Sequence, residues 1–187
     1  MIDLRFPVRD RTLSSVLGYQ IFAAISQVVP DLHGLDWALI VDRKAIGLRL
    51  APEHIAIAAT LATQALAVSG KPLHLGAPTI LPLVRTHLLY SPIVIQKSDA
   101  DPWGCDRVRL YAYLNDKLKR MGIAATITLM DRRSIQMRDQ RLIGWECAAI
   151  ANTYEDAIAL QTQGLGTSRH FGAGTFVAGQ IRANWAQ

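Results

Sequence analysis

The chain has 187 residues, a formal net charge of +5 at pH 7, and hydrophobic side chains at half of its positions. This length suffices for one large domain or two small ones, and this hydrophobic fraction builds a sizeable core, which excludes a disordered chain. The modest positive charge favours an acidic partner such as nucleic acid without identifying one.

Membrane and secretory classes are disfavoured by the sequence. The longest apolar run, Ile55 to Val68, is interrupted by threonines and is too short to span a bilayer. The charged start MIDLRFPVRDR lacks the apolar centre of a signal peptide. Cys105 and Cys147 form neither a CxxC pair nor a metal-site spacing, so we expect free thiols in a reducing cytoplasm.

The first half of the chain predicts the order strand, helix, strand, strand, helix, strand. The strand-like segment IDLRFPV precedes a helix that Ser14 or Ser15 can cap and that Pro30 ends. WALIVD and IGLRLAP are two predicted strands, a second helix extends from 55 to 68 with Gly70 closing it, and KPLHLGAPTILPL is an interrupted strand. Apolar residues at helical spacing predict the buried face of the first helix: Gly18, Ile21, Phe22, Ile25, Val28 and Val29.

The second half predicts the same order of elements. LLYSPIVIQK is a strand, DPWG at 101–104 is a turn, and a helix extends from Arg107 to Met121. ATITLM and SIQMRDQRLIGWECAAI supply strands with a hairpin tip at Asp139 and Gln140, 154–163 is a short helix, and TFVAGQI is the last strand. The long helix is expected to carry Tyr111, Leu114, Leu118 and Met121 on one side and Arg109, Tyr113, Lys117 and Arg120 on the other.

Two successive βαββαβ units predict an α+β protein made of two tandem ferredoxin-like (RRM-like) halves. The expected boundary lies near 84–87, which gives an N-terminal half at 1–84 and a C-terminal half at 88–187. Because this architecture serves many unrelated functions, the function must come from particular residues.

The segment GLGTSRHFGAGTFV, residues 164–177, is the least ordinary part of the sequence. A dinucleotide-binding glycine motif follows a strand and opens a helix, whereas here a predicted helix precedes the glycines and a strand follows them. A nucleotide cofactor is therefore disfavoured. Two interpretations stay open: a tight helix-to-strand connection, or a loop whose glycine N–H groups and arginine contact a nucleic-acid backbone.

The pattern LQTQGLGTSRHFGAGTFV resembles the glycine-rich loop of the CRISPR-associated endoribonucleases that cut precursor CRISPR RNA at its repeats, in particular a small Myxan-type subgroup. Other segments follow that subgroup's order: DLRFPV, RTLSSVLGYQIFAAISQVVPDLHGLDW, GLRLAPEHI, SGKPLHLGAPTILPLVRTHLLYSPIVIQK and RDQRLIGWECAAI. The resemblance implies tandem ferredoxin-like folds, a CRISPR repeat RNA or crRNA hairpin as partner, and other CRISPR-associated proteins of an effector complex. It also implies a cytoplasmic protein without a cofactor.

The implied reaction is metal-independent RNA cleavage that leaves a 2′,3′-cyclic phosphate and a 5′-hydroxyl. The ribose 2′-OH attacks the adjacent phosphate while one group removes its proton and another protonates the leaving 5′-oxygen. Histidine suits these roles. In the family the catalytic histidine lies in or just after the first helix, which here indicates His33, and Tyr19 is the second catalytic candidate. A surface-loop histidine and a half-buried tyrosine are the structural alternatives.

The predicted RNA contacts come from the second half of the chain. Arginines around a hairpin can bracket the phosphates of an RNA stem, and Lys117, Lys119 and Arg120 can extend the same basic surface. A solvated strand edge and a histidine that only fills space beside Phe171 are the alternatives. The candidates are Arg132, Arg133, Arg138, Arg141, Gly164, Gly166, Arg169, His170, Gly172 and Gly174.

One position departs from the subgroup's pattern, in which a histidine precedes the glycine-tyrosine pair of the first helix. Here Leu17 precedes Gly18 and Tyr19. An active endoribonuclease and a catalytically inert subunit that binds the crRNA hairpin are therefore both retained as hypotheses. An unrelated ferredoxin-like enzyme or oligomerisation domain is a third, which the glycine-rich loop disfavours.

Overall fold

Two antiparallel four-stranded sheets, one in each half of the chain, organise the computed structural model. The structure describes residues 1–9, 12–13, 17–95, 106–137 and 140–178. The predicted helix cap at Ser14 or Ser15, the DPWG turn and the candidate Arg138 lie outside these ranges, as does part of the predicted hairpin tip.

The first half contains a sheet in the order β2-β3-β1-β6, with every neighbouring pair antiparallel. Helix α1 crosses from β1 to β2, and a short helix, α2, follows β3. A two-stranded hairpin of β4 and β5 lies between α2 and β6. The elements are β1 (Ile2–Pro7), α1 (Gly18–Val28), β2 (Trp37–Asp42), β3 (Ala45–Leu50), α2 (Ile55–Ala59), β4 (Leu66–Val68), β5 (Lys71–Leu73) and β6 (Thr79–Pro82).

The second half repeats the same topology in the order β10-β7-β9-β8. In both sheets the first strand lies between the third and the last strand of its unit, which is the strand order of a ferredoxin-like βαββαβ fold. The predicted α+β class with two ferredoxin-like halves is confirmed. The elements are β7 (Leu88–Val94), α3 (Arg107–Arg120), β8 (Ala125–Met137), β9 (Gln140–Ala151), α4 (Tyr154–Gln163) and β10 (Val177–Ala178). Within the described ranges, no helix is long and apolar enough to cross a membrane.

Helix α3 begins at an N-cap aspartate and buries one stripe of leucines. The Asp106 carboxylate accepts hydrogen bonds from the second and third N–H groups of the helix, at 2.8 and 3.0 Å. Leu110, Leu114 and Leu118 form its buried side, whereas Tyr111 is 46% exposed. Tyr111, which the sequence grouped with Leu114 and Leu118, lies outside the buried stripe because Leu110 completes it at i, i+4 and i+8.

The predicted second helix from 55 to 68 is also wrong in its second part. Helix α2 ends at Ala59 and continues only as a 3-10 turn, Thr60–Thr63. Residues 66–68 are strand β4, in which Leu66 and Val68 are buried and Ala67 is exposed. Ser69 and Gly70 both have positive φ, +54° and +71°, so they form a two-residue hairpin turn that pairs β4 with β5.

The two halves are joined by a buried arginine and by an apolar cluster. Arg49 of β3 is fully buried, with its guanidinium against the Asp3 carboxylate at 2.6 and 2.7 Å. The same group donates to the main-chain oxygens of Gln161 and Phe176 in the second half, at 2.8 and 2.5 Å. The apolar cluster that packs here combines Ile93, Ile95, Ile135, Leu142 and Ala173 with Tyr19 and Phe171.

Candidate nucleic-acid interface

The glycine-rich loop, residues 164–174, is packed inside the protein between α4 and β10. All four of its glycines are buried and have positive φ. A Cβ on Gly174 would lie 1.7 Å from the main-chain oxygen of Leu165, and one on Gly166 would lie 2.7 Å from that of Ile95. Close main-chain packing therefore requires glycine at these positions.

The main-chain N–H groups of three loop glycines are used within the fold. Gly164 donates to Leu160, Gly172 to Arg169 and Gly174 to Ile93, at 2.7 to 2.9 Å. The expected contacts of these three N–H groups with RNA phosphates do not fit this conformation. The loop instead holds the side chains of Arg169 and His170 against the first half.

Arg169 connects the loop to the first half through an ion pair. Its Nη2 lies 3.2 Å from a carboxylate oxygen of Asp36, and its Nη1 donates to the main-chain oxygen of Gln163 at 2.6 Å. Its side chain is 19% exposed, whereas that of Asp36 is 70% exposed. Burial lowers the pKa of the Arg169 guanidinium, against the opposing effect of Asp36. Asp36, which the sequence analysis did not single out, is the loop's anionic contact in the first half.

His170 lies in an aromatic cluster that spans both halves. Its ring centroid is 5.3 Å from that of Trp37 and 6.0 Å from that of Phe22. Burial, and next the charge of Arg169, lower the pKa of the imidazole and so favour its neutral form. The half-buried His170 thus fills space beside aromatic side chains, here Trp37 and Phe22, and its predicted contact with RNA stays a prediction.

Tyr19 is held at the start of α1 by the same loop. Its ring makes an edge contact with Phe171 at 5.2 Å between centroids and is 6.3 Å from Phe22. The preceding Gly18 approaches the loop so closely that a Cβ there would lie 1.9 Å from the main-chain oxygen of Phe171. The glycine-tyrosine pair and the glycine-rich loop, distant in sequence, thus form one structural unit.

His33 is an exposed residue directly after the 3-10 turn Pro30–Leu32 that follows α1. Its main-chain N–H donates to the oxygen of Pro30 at 2.8 Å, which fixes the backbone while the side chain faces solvent. Three residues later the chain reaches Asp36, the partner of Arg169. The structure therefore places His33 on the segment that leads from α1 to the loop contact.

The hairpin of β8 and β9 presents its arginines on different faces. Arg133 is held by Glu146, with Nε 2.7 Å from a carboxylate oxygen, and Asp131 lies 3.7 Å from its Nη2. The hydrogen bond to Glu146 is the main cause that raises the pKa of Arg133. Arg132 and Arg141 are exposed on the opposite face, where Arg141 donates to the hydroxyl of Ser134 at 2.9 Å.

Lys117 of α3 joins the hairpin side of the molecule to the glycine-rich loop. Its ammonium donates to the main-chain oxygen of Gly166 at 2.8 Å. Burial, and next the charges of Arg169 and Arg120, lower the pKa of this lysine. Lys117 was predicted to extend the basic surface that contacts RNA. In the structure it also supports the glycine-rich loop through its hydrogen bond to Gly166.

Sequence comparison relates this chain to a known protein family and to a known relative. The family model described as Cas6 Crispr matches residues 2–180. The CRISPR-associated endonuclease Cas6 of Myxococcus xanthus (strain DK1622) is 26% identical over 190 residues, which cover 94% of this chain and 80% of the relative.

Solved structures share the architecture at low sequence identity. A RAMP protein described as binding different RNA substrates superposes with a TM-score of 0.63 at 13% identity, covering 96% of this chain and 99% of that one. The product of a Cas6-related gene from Pyrococcus furiosus gives 0.61 at 12% identity, covering 97% and 98%. The CRISPR endoribonuclease Cse3 bound to a 19-nucleotide RNA gives 0.55 at 11% identity, covering 96% and 98%. With a family match over nearly its whole length and the tandem ferredoxin-like fold, the chain belongs to the Cas6 family of CRISPR-associated proteins.

Proposed function

We propose that this Cas6 family member is an endoribonuclease that cuts CRISPR repeat RNA without a metal ion and leaves a 2′,3′-cyclic phosphate and a 5′-hydroxyl. It keeps the crRNA hairpin that it produces and joins other CRISPR-associated proteins in a cytoplasmic effector complex. The observation that carries this proposal is the family match over residues 2–180. Two similarities support it: the relative from Myxococcus xanthus is named an endonuclease, and the similar Cse3 structure is bound to RNA.

We assign the proton transfer to His33. The exposed imidazole lies on the segment after α1, where an RNA strand can reach it. Imidazole is the side chain best suited to general acid–base catalysis near neutral pH. The 2′-oxygen forms a bond to phosphorus as the bond to the 5′-oxygen breaks, so one proton leaves the 2′-OH and one arrives at the 5′-oxygen.

Tyr19, in the first turn of α1, is the second proposed catalytic residue and orients the scissile phosphate, while His33 lies beyond the other end of that helix. Its ring is fixed by Phe171, and the residue is half-buried at the start of α1. A phenol held in this way can donate a hydrogen bond to a phosphate oxygen without a large entropic cost. Because Phe171 belongs to the second half, this contact connects the proposed catalytic residue Tyr19 of the first half to the second half.

The proposed RNA-binding surface lies in the second half. Arg132 and Arg141 are exposed on one face of the hairpin and are suited to contact phosphates of an RNA stem. Arg133 serves this surface less directly because Glu146 already holds its guanidinium. Arg169 and His170 belong to the loop, which packs with Ile135 and Leu142 on the other face of the hairpin, so we propose them as separate RNA contacts. Arg138 stays a candidate from the sequence alone.

An inert RNA-binding subunit is the second candidate function, and Leu17 is the observation that favours it. This residue occupies the position at which the resemblance leads us to expect a histidine, and its side chain packs against the core of the first half. Leu17 therefore supplies no acid or base. If His33 does not replace the missing histidine, the chain binds the hairpin without cutting it.

The test is incubation of the purified chain with a synthetic RNA of the CRISPR repeat from the same genome, in the presence of EDTA. Cleavage in EDTA with cyclic phosphate and 5′-hydroxyl ends supports the proposal. Cleavage only after added divalent metal contradicts the mechanism, and tight binding without cleavage favours the inert subunit.

A further inference from the structure

His33 lies at the tip of a tight turn, residues 32–35, on the segment between α1 and β2. Its φ and ψ are −64° and 131°, the φ of Gly34 is +83°, and the Leu35 N–H donates to the main-chain oxygen of Leu32 at 3.3 Å. These angles are those of a type II turn, whose third residue is favourably glycine. The main chain of this turn therefore sets the direction in which the His33 side chain leaves the protein.

Packing confines the two sides of this turn but not its tip. Leu32, directly before His33, is buried in the apolar core of the first half, and so is Trp37 at the start of β2. A Cβ on Gly34 would meet no heavy atom within 4 Å among the described residues other than its chain neighbours. The position of His33 therefore depends on what holds the chain on either side of the tip.

The glycine-rich loop of the second half holds the chain directly after the tip. Arg169 pairs with Asp36 at 3.2 Å, and the imidazole of His170 is hydrogen-bonded to the main chain of Leu35. The His170 ring also lies against that of Trp37, with 5.3 Å between the ring centroids. Three successive residues that follow the turn's glycine are thus held from the other half of the chain.

We infer that Arg169 is a positioning residue for RNA cleavage: by holding Asp36, it keeps the imidazole of His33 in reach of the reacting oxygens of the RNA. This inference rests on the proposed function, which assigns the proton transfer to His33. A general acid or base acts only within hydrogen-bond reach of the proton that it moves, and a displacement of about 1 Å can slow a reaction by about 10²-fold.

The same arginine can still contact RNA. Its guanidinium carries more N–H groups than the contacts with Asp36 and Gln163 use, so a phosphate contact is compatible with the positioning role. The experiments therefore change Asp36, which is exposed and has not been assigned an RNA contact, and leave Arg169 in place.

The first experiment removes the charge that Arg169 holds. Asp36→Asn keeps the size of the side chain. Asp31→Asn is the matched control, because Asp31 is an exposed aspartate on the other side of His33 that has no ion pair within the described part of the chain. Both variants remove one negative charge near the RNA. In single-turnover cleavage of the repeat RNA, we expect Asp36→Asn to be roughly 10- to 100-fold slower than the parent, whereas Asp31→Asn cuts at the parent rate and the two variants bind the hairpin equally.

The second experiment asks whether Asp36 acts through His33. In the double variant His33→Ala/Asp36→Asn no imidazole is left to position, so we expect the rate of His33→Ala alone. Residues that act as a unit show such non-additive losses. A general weakening of the fold by Asp36→Asn would instead multiply the two losses, and that result contradicts the inference.

The outcomes separate this inference from the proposed function. If His33→Ala is slow but Asp36→Asn cuts at the parent rate, the inference is wrong while the function stands. The inference is also wrong if Asp36→Asn binds the hairpin more tightly than Asp31→Asn and cuts no more slowly, because Arg169 then exchanges Asp36 for a phosphate of the RNA. A parent that does not cut the repeat, or a His33→Ala variant that cuts at the parent rate, overturns the assignment of His33 and this inference with it.

Discussion

The guanidinium of Arg49, in β3 of the first half, donates a hydrogen bond of 2.5 Å to the main-chain oxygen of Phe176, just before β10 of the second half. The same side chain binds both oxygens of the Asp3 carboxylate. A buried arginine with all of these partners fixes one sheet relative to the other. An RNA that contacts both halves therefore meets a surface whose geometry is set in advance.

Replacing Arg49 by methionine is expected to reduce the free energy of unfolding by about 3–5 kcal/mol. The variant leaves the largely buried Asp3 carboxylate and the oxygens of Gln161 and Phe176 without their donor. Urea unfolding followed by circular dichroism measures the change. The double variant Arg49→Met/Asp3→Leu should regain part of the loss, because the uncompensated charge is then gone. A loss below about 1 kcal/mol in the single variant contradicts this account.

The division of the chain into an N-terminal half, 1–84, and a C-terminal half, 88–187, stays a prediction. Hydrogen bonds connect the two halves near the expected boundary. Gln161 donates to the main-chain oxygen of Val84 at 2.8 Å, directly at the expected boundary. The halves are thus coupled by hydrogen bonds at their junction as well as through Arg49.

Gly18→Ala is expected to destabilise the protein by about 1–3 kcal/mol, although alanine normally stabilises a helix relative to glycine. The added methyl group collides with the main-chain oxygen of Phe171 and displaces the loop. Thermal or urea unfolding measures the effect, and Gln27→Ala, at an exposed position near the end of the same helix, serves as the control. A more stable Gly18→Ala protein would show that the loop contact does not constrain α1.

Arg132→Ala and Arg133→Ala are expected to differ in RNA binding. Arg132 is exposed, so its removal should weaken hairpin binding and reduce the slope of log affinity against log salt by about 1. Arg133 is engaged by Glu146, so its removal should act mainly on stability by leaving that carboxylate unpaired. Salt titrations of binding for both variants measure the slopes. Equal slope changes would show that the ion pair opens to contact phosphate.

The pH dependence of the free energy of unfolding should reveal the lowered pKa of His170. Because its pKa is lowered in the folded protein, protonation favours the unfolded state, and stability is lost as pH falls below about 6.5 through the folded pKa. His170→Gln should remove that part of the loss. Urea unfolding of both proteins at pH 7.5, 6.5 and 5.5 gives the difference. Parallel curves for the two proteins would mean that His170 titrates equally when folded and unfolded.

The sequence predicted the order of elements and the family, while the contacts of individual residues depended on tertiary packing. Regular apolar spacing located α1 and α3, but the boundary of α2 was missed because the pairing of β4 with β5 overrides the local helical pattern. The glycine-rich loop was identified by its composition. Its packing against Leu165 and Ile95 was not predictable, because these contacts join segments distant in the chain.

The same limit applies to the candidate site. Arg169, His170, Tyr19 and His33 were singled out one by one, but nothing in their spacing predicts that Asp36 pairs with Arg169 or that Phe171 holds Tyr19. Adjacent arginines at 132 and 133 look equivalent in sequence. Strand alternation and Glu146 make them different in the fold.

The most direct measurement of the central claim is the single-turnover rate of repeat RNA cleavage by the parent and by His33→Ala, in EDTA and with enzyme in excess. Removal of one general acid or base lowers a rate by about 10²–10⁴-fold. We expect that loss for His33→Ala with hairpin affinity nearly unchanged, because the exposed side chain contributes little to the fold. Cleavage by His33→Ala at the parent rate would contradict the assignment and transfer it to the imidazole of His170.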